Sequence, residues 1–553
     1  MKAKARNLQL LPTPAETQGP LPHRLLPTAW RGVTGAGLTS GLLLTLAYPP
    51  FGLWPLAMVA CVPLLLWTER DRPTAKAAFL AGLLAGTVLH GLAWGFLTFT
   101  LREMSGIPTP LGAAVVLLLA AAMGLHQAVF AWLVALTVRD RASTWPLLAR
   151  ALAVGLLYAA VEFALPFLFP WHLGNTLYAA PVWIQTADLV GVTGVSLLCA
   201  LVSALIALAW LHRPQRWRLM GALAVVLALW AGYGFLRLAM IESAPVRRTL
   251  VAAMVQGNAT LTEKRSEAPK VRLPMLDREE RLTRALDLTG VDLLIWPEGA
   301  LPFFWVTDAV GPAAAAEKHL PTRARPVLRE AKARALAVAR DLQKPLLFGT
   351  LRRPDRLWQQ EARNSAVLAQ PDGATWLYDK RILLPFGEYL PGSSLVPALK
   401  ESIKGVSHMD PGTTSGRVEV AGVKLLVTIC YEALFARFMR DEAGDADVLV
   451  NLTNDIWFGP DAAPELHLMV QAARPVELRR PLLRSTVTGI TAHVDASGVI
   501  RQRTGLNVEA TVRAVVPVRD LGSPYRLWGD GPMWGMTLAA AAYAWVNSRK
   551  KSA

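Results

Sequence analysis

The sequence predicts two architectures in one chain: a multi-span α-helical membrane domain followed by an α/β domain. Three observations point there. Hydrophobic residues make up 53% of the 553 residues and charged residues 18%, below the roughly 25% charged of an ordinary globular domain, and mean hydropathy is +0.33. Apolar runs long enough to cross about 30 Å of hydrocarbon crowd the first part of the chain. Residues 245–525 instead alternate short β-like runs with amphipathic stretches. A disordered regulator and a small disulfide scaffold are excluded by this composition.

Seven apolar runs fall at 33–48, 51–68, 76–99, 111–137, 147–165, 182–211 and 218–239, and an eighth at 531–547. The first two are short and joined through Pro49, Pro50 and Pro55, which suits a tight hairpin as well as two crossings. The eighth is rich in Ala, with Trp534 and Trp545 near its ends. Basic residues mark alternate flanks: Lys2, Lys4, Arg6, Arg24 and Arg31; Arg70, Arg72 and Lys76; Arg139, Arg141 and Arg150; Arg213, Arg216 and Arg218; Arg549, Lys550 and Lys551. The other short connections hold almost none, with Arg102 between 100 and 110. Short cytoplasmic flanks collect Lys and Arg, so residues 1–32 and 548–553 are expected to be cytoplasmic tails, 33–240 the membrane domain, and 245–525 an extracytoplasmic domain. Much of the +16 net charge is then a topology signal, and nucleic acid is not an expected partner. No cleavable signal peptide is expected, because the first apolar run follows a tail of about 30 residues without a small-residue cleavage pattern.

In the second domain, strands are expected at Thr249–Val255, Val291–Trp296, Pro345–Thr350, Ser365–Gln370, Val423–Ile429, Asp447–Leu452, Gly489–Val494 and Thr511–Val516, the last stopped by Pro517. Leu276–Leu288, Ala324–Leu342 and Glu465–Arg480 have helical periodicity with charged faces.

Three of these strands end in polar residues, where open α/β sheets carry their ligands and catalysts: Glu298 in IWPEG, Cys430 in LLVTICYE, and Asn454 with Asp455 in LVNLTNDIWFG. A fourth element, WLYDKRILLPFGEYLP, adds Lys380 and Glu388. Singly, a strand-end Glu is more often a cap and a lone Lys is usually solvated; the constellation changes that balance. The other cysteines, Cys61 and Cys199, sit in apolar runs as small hydrophobes, and three cysteines give neither a disulfide framework nor a zinc pattern. A cysteine nucleophile reacts as its thiolate and needs a base and an oxyanion partner. Glu298 is the candidate general base and acid, Lys380 the candidate oxyanion stabiliser, and Cys430 the nucleophile. That is acyl-transfer chemistry.

The order Glu298, Lys380, Cys430 with these flanking words resembles the nitrilase, or carbon-nitrogen hydrolase, superfamily. The chain as a whole resembles the apolipoprotein N-acyltransferase family of bacterial inner-membrane enzymes, through AYPPFGLWPLA, GLLAGTVLHGLAW, FPWHLG, ADLVGVTGVSLL, VQGN, IWPEG, DKRILLPFGEYLP, CYE, NDIWFG, the run with Arg480, Pro481, Arg484 and TGIT, and SPYRLWGD, all in order. The resemblance implies a nitrilase-like α-β-β-α sandwich and a ping-pong reaction. In it Cys430 takes an acyl chain from a membrane phospholipid as a thioester. The free amine of a diacylglyceryl-modified N-terminal cysteine on an apolipoprotein then removes the chain. It also implies support from Glu388, positioning by Tyr431 and Glu432, the bilayer as a partner, no metal or organic cofactor, and a catalytic domain on the periplasmic side of the inner membrane. The chain departs from the family pattern at Arg265, where a Trp is common; at Leu165, where an Arg accompanies the Glu at Glu162; and at Val487, in place of Asn.

A lipid ester at the headgroup level requires apolar loops beside the nucleophile. Phe303, Phe304 and Trp305 after the Glu298 strand, and Asn454, Trp457 and Phe458 after another, are the candidate substrate-binding residues. Loops 303–322 and 390–412 are candidate lids. His90, Glu162 and Asp188 are ionisable residues within the apolar runs, suited equally to substrate contact and to tying helices together. Two other readings stay open on the sequence: a membrane-tethered amidase with water as acceptor, and a transporter with a sensing ectodomain.

Overall fold

The computed structural model describes residues 32–138, 146–306, 325–353, 361–393, 407–459 and 462–549. The N-terminal tail, the flank with Arg139 and Arg141, most of both candidate lids and the last four residues lie outside the described residues. Among the described residues, five helices have the length and composition to cross a membrane: Ala75–Ala93, Thr109–Val138, Leu147–Ala164, Val192–Leu211 and Arg213–Ser243, the last including a 3-10 turn; Gly32–Ala47 is apolar but shorter. The run 51–68 is not one helix. It breaks into a 3-10 turn, Trp54–Met58, and the helix Val62–Asp71, each opened by a proline in its first turn. The run 76–99 divides after Ala93, and a separate helix, Phe96–Ser105, follows. The run 182–211 starts as two single-turn helices, Pro181–Ile184 and Ala187–Val190, before Gly191 and the long helix. The terminal helix is Gly531–Arg549.

Glycines let the apolar helices pack at backbone distance. A methyl group on Gly41 would stand 2.7 Å from the Ala85 carbonyl, and one on Gly86 2.5 Å from the Cα of Gly124. Small residues at such crossings supply the packing that helices in lipid need.

Among the described residues, the second domain has thirteen strands: β1 Val246–Gln256, β2 Leu293–Ile295, β3 Phe304–Val306, β4 Leu346–Arg353, β5 Arg363–Ala369, β6 Thr375–Asp379, β7 Arg417–Val420, β8 Val423–Ile429, β9 Val448–Thr453, β10 Leu482–Thr486, β11 Ala492–Val494, β12 Ile500–Arg503 and β13 Ala510–Arg519. One mixed sheet runs β13-β1-β2-β4-β5-β6, with β3 added beside β4; the other runs β12-β11-β10-β9-β8-β7. Helices Pro269–Arg284 and Arg325–Leu342 cover the first sheet, and Ala436–Ala443 and Ala463–Leu478 the second. Residues two apart share a face of a strand. Leu250, Ala252 and Met254 of β1 therefore meet Val448, Val450 and Leu452 of β9 in the layer between the sheets. Ala253 and Val255 face the outer helix Pro269–Arg284, and Leu449 faces Met439 and Leu468. This is the α-β-β-α sandwich.

One boundary needs correction: β13 does not stop at Pro517 but runs through it to Arg519, with Pro517 opposite Thr249. β13 is an edge strand of its sheet, so the missing N–H leaves no broken ladder bond.

Candidate active site

Each candidate side chain leaves a strand end on the same side of the sandwich. β2 ends at Ile295, and Trp296 and Pro297 carry the chain to Glu298. β6 ends at Asp379, which accepts Arg352 Nε at 2.9 Å, Arg363 Nη1 at 3.2 Å and the Ser365 hydroxyl at 2.6 Å, and so fixes the strand just before Lys380. β8 ends at Ile429, and Cys430 turns out of it with φ +51°, a left-handed value that costs a non-glycine residue strain.

A continuous hydrogen-bond chain links the carboxylates and the ammonium. Asn364 Nδ2 donates to Glu298 Oε1 at 2.6 Å and to Glu388 Oε1 at 2.8 Å. Lys380 Nζ lies 2.9 Å from Glu388 Oε1 and 2.8 Å from its Oε2. Leu384 N–H donates to Glu388 Oε2 at 2.8 Å, and Lys380 N–H to the Asn364 carbonyl at 2.8 Å. Glu298 Oε2 is enclosed and has no hydrogen-bond partner among the described residues, which leaves it open to a proton. Behind it Lys264 Nζ donates to the Gly299 carbonyl at 2.6 Å.

Charge follows from this geometry. Burial pushes Glu298 up to about 7 against the pull of Lys380, with Glu388 adding to the rise, the range suited to a general base near neutral pH. Burial works against a charged Lys380, but Glu388, Cys430 and Glu298 together outweigh it and hold the ammonium protonated. Burial also pushes the Cys430 thiol up to about 12, Glu298 adds to that, and Lys380 opposes it. Cys430 thus rests as a neutral thiol, which suits the expectation that Glu298 takes its proton.

Glu432 ties two of these elements together. Its Oε1 accepts the N–H groups of Arg381 and Ile382, at 2.6 and 3.2 Å, and the Tyr378 hydroxyl at 2.8 Å. Its Oε2 accepts the N–H of Ile429 at 2.7 Å. One carboxylate therefore grips the residues after Lys380 and the residue before Cys430. Tyr431 donates its hydroxyl to the Leu168 carbonyl in the membrane domain.

Cys430 lines an apolar pocket with two sources of wall. Leu384, Tyr431, Leu434, Phe458, Ala463 and His467 come from the sandwich; Phe96, Phe169 and Trp171 come from the membrane domain. Phe96 meets Phe458 edge-on at 5.2 Å between ring centroids, and Trp94 packs edge-on against both Phe169 and Trp171. The helix Phe96–Ser105 is pinned there by Thr100, whose hydroxyl donates to the Trp457 carbonyl at 2.8 Å.

Among the residues proposed to bind substrate, Phe458 stands in this wall. Trp457 contributes its carbonyl to Thr100, and Asn454 caps the following turn by accepting Ile456 N–H at 3.2 Å. Phe303 and Trp305 lie elsewhere, in the core between the first sheet and the helix Arg325–Leu342, with Trp305 5.6 Å from the Phe348 ring. The reason is local: β3 pairs with β4 in parallel, and two-residue periodicity turns both rings to the helix side while Phe304 lies under Arg353. Sequence reasoning missed Asn364, which looks like an ordinary polar strand start, and Phe96, Phe169 and Trp171, which read as span residues or as loop words.

The ionisable residues of the membrane domain act in packing. Asp188 is fully buried and accepts Arg479 Nε and Nη2 at 3.0 and 2.7 Å and the Tyr233 hydroxyl at 2.6 Å, and it forms an ion pair with Arg237, whose Nε lies 2.7 Å away. Glu162 accepts Leu173 N–H at 2.8 Å beside His172, and His90 Nδ1 contacts the Gly86 carbonyl. Among the described residues, no group of three or more His, Cys, Asp or Glu side chains is arranged to hold a metal ion.

Residues 40–205 match the model of the apolipoprotein N-acyltransferase N-terminal domain, and residues 244–523 that of carbon-nitrogen hydrolase. An apolipoprotein N-acyltransferase of Geobacter metallireducens is 31% identical, over 93% of this chain and 95% of that protein. The chain belongs to the apolipoprotein N-acyltransferase family. A second member, from Azotobacter vinelandii, is likewise 31% identical over 93% of this chain and 95% of its own length. An amidase from Nesterenkonia sp. superposes with a TM-score of 0.36 at 18% identity, over 53% of this chain and 98% of the amidase.

Proposed function

We propose that this acyltransferase moves a fatty acyl chain from a membrane phospholipid to Cys430, and then to the N-terminal amine of a diacylglyceryl-cysteine on an apolipoprotein. The observation that carries the reading is the composite wall of the Cys430 pocket: aromatic rings from the membrane domain face the sulfur on one side, and the sandwich supplies the rest. A hydrolase of small soluble amides has no use for a nucleophile walled in part by a membrane domain.

In the first half-reaction the Cys430 proton passes to Glu298 as the sulfur bonds to the ester carbonyl carbon. Lys380 stabilises the oxyanion, the carbon–oxygen bond to glycerol breaks, and Glu298 returns the proton to the departing alkoxide, releasing lysophospholipid. In the second, the acceptor amine bonds to the thioester carbon and loses a proton to Glu298. The carbon–sulfur bond then breaks, and Glu298 returns its proton to the departing sulfur, restoring the thiol. Glu388 keeps Lys380 charged and in place, and Glu432 holds the Lys380 and Cys430 elements in register. Alternate basic flanks support cytoplasmic termini and, with them, a sandwich on the periplasmic face of a bacterial inner membrane.

The test is acyl trapping. Enzyme incubated with phospholipid labelled in the acyl chain, without acceptor, should hold a stable hydroxylamine-sensitive thioester, absent in Cys430→Ala. Steady release of free fatty acid would instead make the protein a hydrolase.

A further inference from the structure

We propose that Asn451 is the positioning residue that holds Cys430 in its left-handed conformation, its amide oriented by a one-way chain of hydrogen bonds that begins at Arg484. The inference rests on Cys430 being the acylated nucleophile.

The direction of the chain follows from donor and acceptor chemistry alone. A guanidinium can only donate, so the atom of Gln471 that faces Arg484 Nε at 3.0 Å is its oxygen. The Gln471 amide nitrogen is thereby turned the other way. It donates to Asn451 Oδ1 at 3.0 Å and faces His467 Nε2 at 2.8 Å. With its oxygen committed, Asn451 must present its own nitrogen on the far side, where it donates to the Cys430 carbonyl at 3.3 Å and to the Thr428 hydroxyl at 3.1 Å. Thr428 is free to accept because its proton is used on the Val450 carbonyl.

His467 closes the logic. Its Nε2 meets the Gln471 donor at 2.8 Å, and its Nδ1 lies nearer the acceptor Asp455 Oδ1, at 2.8 Å, than the donor Arg484 Nη2, at 3.3 Å, which gives its proton to the other oxygen of Asp455 at 2.6 Å; the ring proton therefore sits on Nδ1. Arg484 thus fixes both arms, one through Gln471 and one through Asp455 and the tautomer of His467. Thr428, Asn451, Gln471 and Arg484 are completely buried, and Asp455 and His467 nearly so, so water cannot substitute for a lost partner. His467 also stands in the wall of the Cys430 pocket. A buried donor on the carbonyl of a strained residue selects that backbone conformation over the relaxed one.

The test uses full-length enzyme in phospholipid-detergent micelles. Gln471→Glu keeps the contact with Arg484 but presents an acceptor to Asn451, whose amide must then reverse and set its oxygen against the Cys430 carbonyl. The single-turnover rate of thioester formation is expected to fall by about 10-fold or more, with the KM for phospholipid unchanged. Gln471→Met, which cuts the chain without reversing it, should lose less. Wild-type rates in folded Gln471→Glu overturn the proposal, as does a Gln471→Met loss equal to that of Gln471→Glu and in step with its melting temperature. Should Gln471→Glu not fold, the nitrogen spectrum of histidine-labelled wild-type enzyme at pH 7 decides, with His467 assigned by its loss in His467→Asn. A neutral ring protonated at Nδ1 supports the chain; the opposite tautomer, or a doubly protonated ring, overturns it. Failure of the wild type to form any thioester at Cys430 sinks the acyl-transfer reading and this inference together, whereas a normal thioester with the wrong tautomer sinks this inference alone.

Discussion

Asn364 is the residue whose replacement most directly tests Glu298 as the base. Its side-chain amide donates to Glu298 Oε1 at 2.6 Å and to Glu388 Oε1 at 2.8 Å. A hydrogen bond to an ionised group contributes roughly 1.5–3 kcal/mol. Since one pH unit corresponds to about 1.4 kcal/mol, Asn364→Ala should raise the Glu298 carboxyl by about one to two pH units above its present value of about 7. The sign follows from the role. Glu298 must be ionised to accept the thiol proton, so acylation is present above its pKa and lost below it, and a raised pKa carries the loss to higher pH. At pH 7 the rate of thioester formation should fall by roughly 5- to 50-fold, from the drop in ionised fraction, and recover in alkali. Glu388→Gln provides the opposite displacement, because Glu388 raises Glu298: its acid limb should move down, even as the less securely held Lys380 lowers the plateau. The assay is the pH profile of acyl-enzyme formation from labelled phospholipid. A loss in Asn364→Ala that is the same at every pH would refute Glu298 as the titrating base.

Replacing Phe96 and Phe458 together by Ser should weaken reaction with a long-chain phospholipid far more than with a short water-soluble thioester donor, since both rings wall the Cys430 pocket; equal losses would move the acyl site elsewhere. Asp188→Asn leaves Arg479 buried with half its pairing gone, and breaking a buried ion pair costs about 3–5 kcal/mol, so the variant should melt well below wild type in detergent, and unchanged melting would deny the joint its role. Glu432→Gln sets an amide N–H₂ against backbone donors, which should cost roughly 2–4 kcal/mol and depress both melting and acylation; normal acylation in that variant would show that the register of Lys380 and Cys430 is held by something else.

Much of this was legible before any coordinates. Strand ends are visible because strands buried on both faces read as unbroken apolar runs, and the polar residue that stops each run, Glu298 or Cys430, marks the site edge. β8 was readable to the residue for that reason. β3, β6, β7, β10 and β12 were not, being three to five residues long and stabilised by pairing rather than by their own pattern. Trp305 shows the same limit from another side: an aromatic cluster near a site reads alike whether it faces the pocket or the core, and only the register of β3 on β4 decides. Asp188 and Arg479 could not be paired in advance, because their partnership spans 291 residues and exists only once the domains dock. Phe96, Phe169 and Trp171 were hidden differently, in apolar sequence that the membrane alone seemed to explain.

On the proposed acyl transfer, the raised Cys430 pKa belongs with the apolar pocket rather than against the chemistry. A thiolate at rest beside hydrocarbon would be both poorly solvated and repelled by Glu298, and Lys380 is already engaged by Glu388. Burial therefore keeps the proton on sulfur until an ester carbonyl arrives. When the proton moves to Glu298, the negative charge that opposed ionisation of the thiol disappears with it, so the barrier falls during the transfer, and Lys380 then faces an oxyanion instead of a second anion on sulfur. The consequence is measurable without lipid. Alkylation of Cys430 by iodoacetamide should keep rising with pH beyond 9, because the thiol stays protonated until about 12. A plateau reached below pH 7 would mean a preformed thiolate, and proton transfer to Glu298 would then have no place in acylation.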